Sequence, residues 1–274
     1  MLTYNRPMLI GRAIASVRSQ SFEDWELLIV QDGSHAQTSA LATEWAAKDP
    51  RIRYFPRGTV GSIAEASNFG LAQARGEYIA ILDDDDAWDA RDKLARQVEF
   101  LDANSEYVAC GSGYILVDQQ GSKRGCFLKP EHDDAIRSRA LLANPIANST
   151  AMFRRVIGGA PAMYDPSLRG YADWDFWLTL GGVGKLYNFP CAFAHYALWE
   201  GGGSFWQQKV NARAGLTIVH KHRRAYRSYP LALVLAVLHY AYSCLPPGIR
   251  TWSYHRLSAL KKTLASSGAS TANL

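Results

Sequence analysis

Four consecutive aspartates, Asp83 to Asp86, follow an apolar stretch in the sequence GEYIAILDDDDAW, residues 76–88. Adjacent carboxylates repel one another, and a turn that only has to be soluble needs one of them at most. Mg²⁺ and Mn²⁺ prefer oxygen ligands and are typically held by one or two carboxylates together with substrate phosphates. We therefore interpret the run as a site for Mn²⁺ or Mg²⁺ bound to a diphosphate, and we expect the chain to turn there.

A second acid, Asp32, follows the apolar run WELLIV, and the turn sequence QDGS contains it. Strand-like runs alternate with segments of helical periodicity; the former are 25–30, 51–55, 77–82 and 107–117, and the latter 6–20, 39–49, 62–75 and 91–104. This alternation predicts an α/β fold, a mostly parallel sheet flanked by helices on both faces. Ligands of such sheets bind beyond the carboxyl ends of the strands, so we expect Asp32 and Asp83 to share one crevice. An Asx turn remains an equally good reading of Asp32 by itself.

The charged residues are distributed unevenly along the 274-residue chain, which has an ordinary globular composition of 48% hydrophobic and 20% charged residues. Residues 201–274 contain 10 of the 30 Lys and Arg residues and none of the 25 Asp and Glu residues. Such a skew favours a negatively charged partner, either anionic lipid or nucleic acid.

The four cysteines are widely spaced with no C-x-x-C pair, which argues against a zinc or disulfide framework and for a reducing compartment.

Four blocks of sequence, in this order, resemble the inverting family 2 glycosyltransferases, whose Rossmann-like domain has the GT-A nucleotide-sugar fold. The blocks are TYNRP, SVRSQSFEDWELLIVQDGS, SNFGLAQARGEYIAILDDDDAW and YADWDFWLTL. The residues themselves predict a basic, helical C-terminal region over 205–274, whereas the resemblance covers roughly residues 3–200 and implies a catalytic domain over 1–204. It also implies a nucleotide-sugar donor, with UDP or dTDP favoured over GDP, and a glycan or lipid-linked acceptor.

The resemblance assigns roles to individual residues. Those bordering the nucleotide are Tyr4, Arg6, Asp32, Asn68 and Asp83, with Asp32 bonded to the base. The metal ligands are Asp85 and, nearer the sugar, Asp83, while Asp86 and Trp88 complete the block. Trp174, Asp175, Trp177 and His195 are placed on the acceptor side or in a closing segment hinged at Gly201–Gly203.

Asp173 in YADWDFW resembles the catalytic base of these enzymes, and Asp175 is its competitor for that role. In an inverting transfer a single carboxylate removes the proton of the acceptor hydroxyl as it attacks the sugar. A simpler reading is that both acids occupy a helix N-terminus, where negative charge is stabilised, and the two readings are compatible.

Two features lie outside the resemblance or depart from it. Family members usually begin with a full apolar strand, whereas only Met1 and Leu2 precede Thr3, so we expect a mis-set start, a fragment or an impaired fold.

The apolar run 231–245 is shorter than the roughly 20 residues of a membrane span. It follows the basic segment KHRRAYR and precedes an amphipathic segment, 250–264. This arrangement predicts attachment to an anionic membrane surface, although a helix of this length can also pack on the catalytic domain.

The sequence therefore predicts a metal-dependent, inverting glycosyltransferase of cell-surface polysaccharide synthesis, cytoplasmic and peripheral on the inner face of the plasma membrane, with no nucleic-acid partner. The main alternative is a catalytically impaired, membrane-associated nucleotide-sugar-binding protein. A nucleotidyltransferase would also use an acidic metal site, but we find no glycine-rich phosphate loop with a nearby lysine close to the N-terminus.

Overall fold

The computed structural model describes residues 1–58, 62–118, 120–197, 208–246 and 250. Two segments about which the sequence raises expectations lie outside these ranges. One is the glycine triplet Gly201–Gly203, and the other is the amphipathic segment 250–264 beyond its first residue.

The N-terminal part of the chain alternates strands and helices as predicted. Its elements are β1 (Leu2–Thr3), α1 (Pro7–Arg18), β2 (Leu27–Asp32), α2 (Ala36–Lys48), β3 (Ile52–Gly58) and α3 (Ile63–Gln73). The three strands form a parallel sheet in the order β1-β2-β3. Helix α1 begins with Pro7, whose fixed φ suits a first helical turn, and it buries Ile10, Ala13, Ile14 and Val17 at helical spacing.

A second, mixed sheet follows. Its strands, the helices between them and a separate two-stranded hairpin (β9 and β10) follow in chain order. They are β4 (Tyr78–Ala80), β5 (Ala87–Trp88), α4 (Lys93–Ala103), β6 (Tyr107–Val117), β7 (Lys123–Phe127), α5 (Asp133–Arg139), β8 (Met152–Arg154), β9 (Val156–Ile157), β10 (Ala160–Pro161), α6 (Ala172–Val183) and β11 (Lys185–Ala197). The strand order is β4-β8-β6-β11-β5, with β7 on β6. Only β6 and β11 are parallel neighbours; the other pairs of this sheet are antiparallel. The α/β alternation is therefore confirmed, and parallel pairing predominates in the first sheet alone.

Helix α6 is buried deeply between the second sheet and the C-terminal helices. Trp177 and Phe176 have almost no exposed surface, and each packs edge to face with Phe153 of β8. The first turn of α6 contains Asp173 and Asp175, where the helix dipole favours acids. This packing fixes the orientation of that turn relative to the sheet.

The C-terminal part of the chain folds onto α6. Helices α7 (Gln208–Lys221) and α8 (Tyr229–Ser243) contact one another, and Ile218, Val219 and Ala232 share an apolar cluster with Leu178. The predicted apolar run thus forms a helix that packs, on one side, against the remainder of the chain. Among the helices within the described ranges, none combines the length and the hydropathy needed to cross a bilayer.

A large cavity separates the edges of the two sheets. It has a volume of about 1220 Å³ and extends from the acidic turn into an apolar slot. Met1 and Leu28 line the slot on the side of the first sheet, and Ile79 and Ala80 of β4 line it on the other. The terminal ammonium of Met1 donates to the carbonyl of Leu28 (2.9 Å) inside this slot, and its burial lowers its pKa to about 6.

Candidate active site

The four aspartates alternate in exposure: Asp84 and Asp86 are buried, and Asp83 and Asp85 are half-buried. Asp83, Asp84 and Asp85 line the acidic end of the cavity, which we call the cleft. The chain turns at this point, as predicted, and the amide of Asp86 donates to the carbonyl of Asp83 (3.2 Å). Two carboxylates are therefore presented to the cleft by the turn that follows β4.

Asp83 is held by the turn that precedes β8. The amide nitrogen of Asn148 donates to both carboxylate oxygens of Asp83, at 3.1 and 3.2 Å. The Ser149 hydroxyl accepts from the backbone amide of Asp83 (3.0 Å). Burial and then the nearby charge of Asp85 raise the pKa of Asp83 to about 6. A crowded, partly desolvated carboxylate of this kind gains from a cation placed beside it.

Asp85 and Asp84 are paired with Arg6, the residue that caps the N-terminus of α1. The Arg6 guanidinium donates to Asp84 Oδ1 (2.9 Å) and Asp85 Oδ2 (2.5 Å), and Arg12 donates to the backbone carbonyl of Asp85 (2.6 Å). The positive charge of Arg6 offsets part of the repulsion between the neighbouring aspartates. Arg6 thus borders the cleft, and it contacts the acidic turn directly.

The acidic turn fits a divalent cation whose coordination is completed by its substrate. Within the described ranges, no group of three or more His, Cys, Asp or Glu side chains is arranged to hold a metal ion. Asp83 and Asp85 offer two hard oxygen donors on one side of the cleft. That set suits Mg²⁺ or Mn²⁺, which retain waters and take further ligands from phosphates.

Asp86 and Trp88 anchor the turn from behind. Asp86 accepts from the Ser149 hydroxyl (2.5 Å) and from the amide of Ala197 (3.1 Å), and the Trp88 indole donates to the Ser149 carbonyl (2.7 Å). Burial is the main cause that raises the pKa of Asp86 to about 8. The DDAW block therefore ties the acidic turn, Ser149 and the end of β11 into one rigid unit.

Asp173 lies across the same cleft, at the beginning of α6. Asn144 donates its side-chain amide to Asp173 Oδ2 (2.6 Å), and Lys129 donates to the Asn144 carbonyl (2.7 Å). Burial raises the pKa of Asp173, while the amides of Trp174 and Asp173, the Asn144 side chain and the charge of Lys129 oppose that rise. The residue is thus a desolvated carboxylate held in one orientation, as a general base requires.

Most of the residues predicted to bind the donor share the cleft. Tyr4, Arg6, Asp32, Asp83 and Asp85 all line it, together with Asp173. Asp32 ends β2, and Tyr4 follows β1, so both stand at the carboxyl ends of parallel strands. Asp32 and Asp83 thus lie along one crevice, as expected.

Asn68 does not line the cleft. Its side chain donates to the carbonyl of Tyr164 (2.9 Å) and accepts from the amide of the same residue (2.8 Å). Both halves of the amide are therefore engaged in joining α3 to the segment before α6.

The four residues predicted for the acceptor side also lie outside the cavity lining. The Trp174 indole donates to the Ala140 carbonyl (2.7 Å), and Trp177 is fully buried in the core. Asp175 is 1% exposed and is paired with Lys221 Nζ and His222 Nε2, both at 2.8 Å. His195 is on β11, and its Nε2 lies 3.4 Å from Oδ2 of Asp89.

Sequence reasoning missed the residues that orient the two groups of acids. Asn148 and Ser149 position the acidic turn, and Lys129 and Asn144 position Asp173. They lie in irregular segments without periodicity, and the polar run NST at 148–150 offers the one local pattern that could have drawn attention to a turn.

Comparison with known proteins gives a consistent result. A model described as glycosyl transferase family 2 matches residues 1–157. The chain is 33% identical over 201 residues to the putative teichuronic acid biosynthesis glycosyltransferase TuaG of Bacillus subtilis, covering 72% of this chain and 76% of TuaG. It is 30% identical over 180 residues to the putative glycosyltransferase EpsE of the same species, covering 64% of this chain and 63% of EpsE. It spans 26% of the length of an uncharacterized glycosyltransferase of Rickettsia bellii.

Solved structures show the same fold at low sequence identity. One is that of Staphylococcus aureus TarS 1–349 in complex with UDP-GlcNAc, with a TM-score of 0.65 at 17% identity, covering 87% of this chain and 70% of that one. Another is the mannosyltransferase PcManGT of Pyrobaculum calidifontis in complex with GDP-Man and Mn²⁺, with a TM-score of 0.63 at 19% identity, covering 94% of this chain and 79% of that one.

Proposed function

Because the chain belongs to glycosyl transferase family 2, we propose that it moves a sugar, with inversion, from a nucleotide-diphosphate donor to a hydroxyl group of its acceptor. One observation carries the proposal. Two cleft-facing carboxylates, Asp83 and Asp85, and a separate, individually oriented carboxylate, Asp173, lie on the same cavity. The first pair suits a diphosphate with its cation, and Asp173 suits a proton acceptor.

Asp173 is proposed as the base. The acceptor oxygen forms a bond to the anomeric carbon while the bond from that carbon to the diphosphate oxygen breaks. The hydroxyl proton passes to a carboxylate oxygen of Asp173, and the electron pair of the broken bond leaves with the diphosphate. Asn144 fixes the carboxylate through Oδ2, and the backbone amides of Trp174 and Asp173 also bond to it. Asp175 is not proposed for this step, since both of its oxygens are already engaged with Lys221 and His222.

Asp83 and Asp85 are proposed to hold Mn²⁺ or Mg²⁺. When bound, such a cation would stabilise the negative charge of the leaving diphosphate. Arg6 pairs with Oδ2 of Asp85, so a bound cation would share that carboxylate with the guanidinium. Asn148 keeps Asp83 in place throughout, because both of its contacts are to that side chain.

The nucleobase of the donor is proposed to lie toward Tyr4 and Asp32, at the end of the cleft formed by the first sheet. A UDP or dTDP donor is favoured over a GDP donor, on the resemblance of the QDGS segment. Two similar structures are complexes with UDP-GlcNAc, for TarS, and with GDP-Man, for PcManGT, so both pyrimidine and purine donors occur on this fold.

The acceptor is proposed to be a glycan or a lipid-linked sugar in the synthesis of a cell-surface polysaccharide, at the inner face of the plasma membrane. The similarity to TuaG, named for teichuronic acid biosynthesis, supports the polysaccharide. The basic C-terminal region supports the location.

Calorimetric titration of UDP, dTDP and GDP, with and without Mn²⁺, tests the donor site. We expect Mn²⁺-dependent binding of one nucleotide in the wild type, loss of binding in Asp85→Asn, and unchanged binding in Asp173→Asn. Asp92→Asn is the matched control, because Asp92 is an exposed acid outside the cleft. Metal-independent binding would contradict the role of Asp85.

Turnover separates the proposal from its main alternative. Donor hydrolysis and transfer should be lost in Asp173→Asn while nucleotide binding persists. A wild type that binds the nucleotide but turns over no donor with any acceptor fraction would instead indicate an impaired nucleotide-sugar-binding protein.

A further inference from the structure

Helix α8 has two faces of different character. Ala232 and Leu233 pack inward against α6 and α7. Leu231, Val234, Leu235 and Leu238 are 54%, 55%, 47% and 60% exposed. Residues spaced by three, four and seven positions share one side of a helix, so these four form a continuous outward stripe. The segment 229–243 contains no Asp, Glu, Lys or Arg, although a solvent-facing stripe normally carries them.

Basic side chains surround the first turn of this stripe. Arg224 and Arg227 are exposed in the turn between α7 and α8, and Arg139 is exposed at the end of α5. The hydroxyl of Ser228 donates to the carbonyl of Ser138 (2.5 Å), which holds the end of α5 beside the start of α8. No acidic residue follows Glu200 in the sequence.

We propose that the stripe Leu231, Val234, Leu235 and Leu238, with the basic residues Arg139, Arg224 and Arg227, is the surface through which the chain binds an anionic lipid bilayer. This inference deepens the proposed function and rests on it for the lipid-linked acceptor, whereas the lipid contact itself stands on the surface alone. An apolar helix face rimmed by Arg is the combination that inserts at a headgroup boundary. At about 1.5 Å per residue, fifteen residues span less than the roughly 30 Å hydrocarbon core, so α8 lies along the surface.

The same surface is linked to the proposed base, Asp173, through a series of packing contacts and hydrogen bonds. Ala140 and Leu141, which follow α5, share an apolar cluster with Ala232 of α8. The next residues contact α6: the Ala140 carbonyl accepts from the Trp174 indole (2.7 Å), and Asn144 donates to Asp173 (2.6 Å). One short segment, 140–144, therefore joins the lipid-binding helix to the base.

Co-sedimentation with vesicles tests the surface. We expect the full chain to bind phosphatidylglycerol-containing vesicles and to bind phosphatidylcholine vesicles at least about tenfold more weakly, with binding that falls as salt rises. The double variant Leu235→Glu/Leu238→Glu should bind anionic vesicles at least about tenfold more weakly than the wild type. Met8→Glu/Val183→Glu is the matched control, because it adds the same charges at exposed apolar positions on α1 and α6.

The basic residues are tested separately. Arg139→Gln/Arg224→Gln/Arg227→Gln should remove the preference for anionic vesicles, whereas Arg91→Gln/Arg124→Gln/Lys185→Gln, with the same loss of charge elsewhere, should keep it. Equal binding by the wild type and the α8 variant would overturn the proposal. So would loss of binding on deletion of 251–274 alone, with the α8 variant unaffected. A dimer that Leu235→Glu/Leu238→Glu converts to a monomer without changing vesicle binding would assign the stripe to a second copy instead.

Calorimetry on the same variants keeps this proposal distinct from the proposed function. The α8 variant should retain Mn²⁺-dependent nucleotide binding and its thermal unfolding midpoint, which also excludes misfolding. Vesicle binding in a wild type that binds no nucleotide would refute the donor site and leave the lipid surface standing.

Discussion

The Asn144 side chain helps to orient the Asp173 carboxylate, together with the backbone amides of Trp174 and Asp173. Asn144→Ala removes the hydrogen bond to Oδ2, so the carboxylate gains rotational freedom and loses stabilisation of its charged form. We expect kcat to fall about 10- to 100-fold, because general-base catalysis contributes roughly 10²- to 10⁴-fold and the base itself is retained. The KM for the donor should change little. Steady-state kinetics measures both values.

Asn104→Ala is the matched control for that prediction, since the Asn104 side chain donates to the carbonyl of Phe100 within its own helix end. Asn144→Asp restores neither the donor nor the charge balance and should be as slow as the alanine variant. A raised donor KM with unchanged kcat would show that Asn144 acts in binding and has no role in positioning the base.

Lys93 is a fully buried lysine whose ammonium donates to Gln97 Oε1 (2.6 Å) and lies 4.0 Å from the centre of the Trp88 ring. Burial lowers its pKa from 10.5 to about 7. Between these values the unfolded chain keeps the proton and the folded chain releases it, so the free energy of unfolding should rise with pH from about 7 toward 10.5. Below pH 7 both states are protonated and the destabilisation is constant.

Lys93→Met removes this dependence while preserving most of the side-chain volume. Urea unfolding between pH 7 and 10 should show a flatter profile for the variant than for the wild type, and greater relative stability at the neutral end. Lys185→Met, which alters an exposed lysine, should leave the wild-type slope in place. Parallel profiles for Lys93→Met and the wild type would contradict the lowered pKa.

The acids of the site could be predicted from the sequence, whereas their supports could not. Asp32 and Asp83 follow apolar runs, and the position of strand ends in α/β sheets is a general rule. Asn144 and Asn148 act only because distant segments bring them within 3.2 Å of Asp173 and Asp83. Contacts of that kind are absent from local periodicity.

Helix α6 is joined to the C-terminal helices through one buried cluster of charges. Asp175, on α6, accepts from Lys221 and His222 at the end of α7, and Lys221 also reaches Asp165 (2.8 Å). The resemblance placed Asp175 on the acceptor side, and its position two residues from Asp173 made it a competitor for the role of base. In a helix this spacing turns the two side chains in different directions, which local motif reasoning does not resolve.

Breaking this cluster should weaken the whole α6–α7 contact. Asp175→Ala leaves His222 buried without its partner, and we expect a loss of about 3 kcal/mol in unfolding free energy, at the lower end for buried pairs because Lys221 is partly exposed. Asp165→Ala should cost much less, since its side chain is 31% exposed. Chemical unfolding measures both. Equal losses would mean that the buried pair is not the stronger link.

The elements themselves were largely predictable. Strand β6 occupies the predicted range 107–117, and helices α1, α3 and α4 end within two residues of the predicted limits. The mixed pairing of the second sheet was not foreseen. Strands β8 and β11, from positions far along the chain, insert between its other strands, β8 between β4 and β6 and β11 between β6 and β5. Non-local pairing leaves little trace in the sequence of any one strand, since register depends on the partner.

At the scale of the whole molecule, the apolar slot separates the first sheet from the second. The edge of β4 that faces away from β8 borders the slot, and Met1 places its terminal amine in it. Edge strands present unpaired amides and carbonyls that a further strand can satisfy. An added strand beside β2, parallel to it, would continue the ladder in which Met1 accepts from Val30 (3.0 Å).

Fusing five Val- and Ile-rich residues ahead of Met1 should therefore stabilise the protein. The fusion would remove the buried ammonium and place apolar side chains in the slot, and we expect the thermal unfolding midpoint to rise by several degrees, about 2–4 °C per kcal/mol gained. A Gly-Ser fusion of equal length removes the same charge without filling the slot, and it should give a smaller rise. Differential scanning calorimetry of the two fusions and the wild type decides the matter: equal midpoints for both fusions would show that no strand enters between β2 and β4.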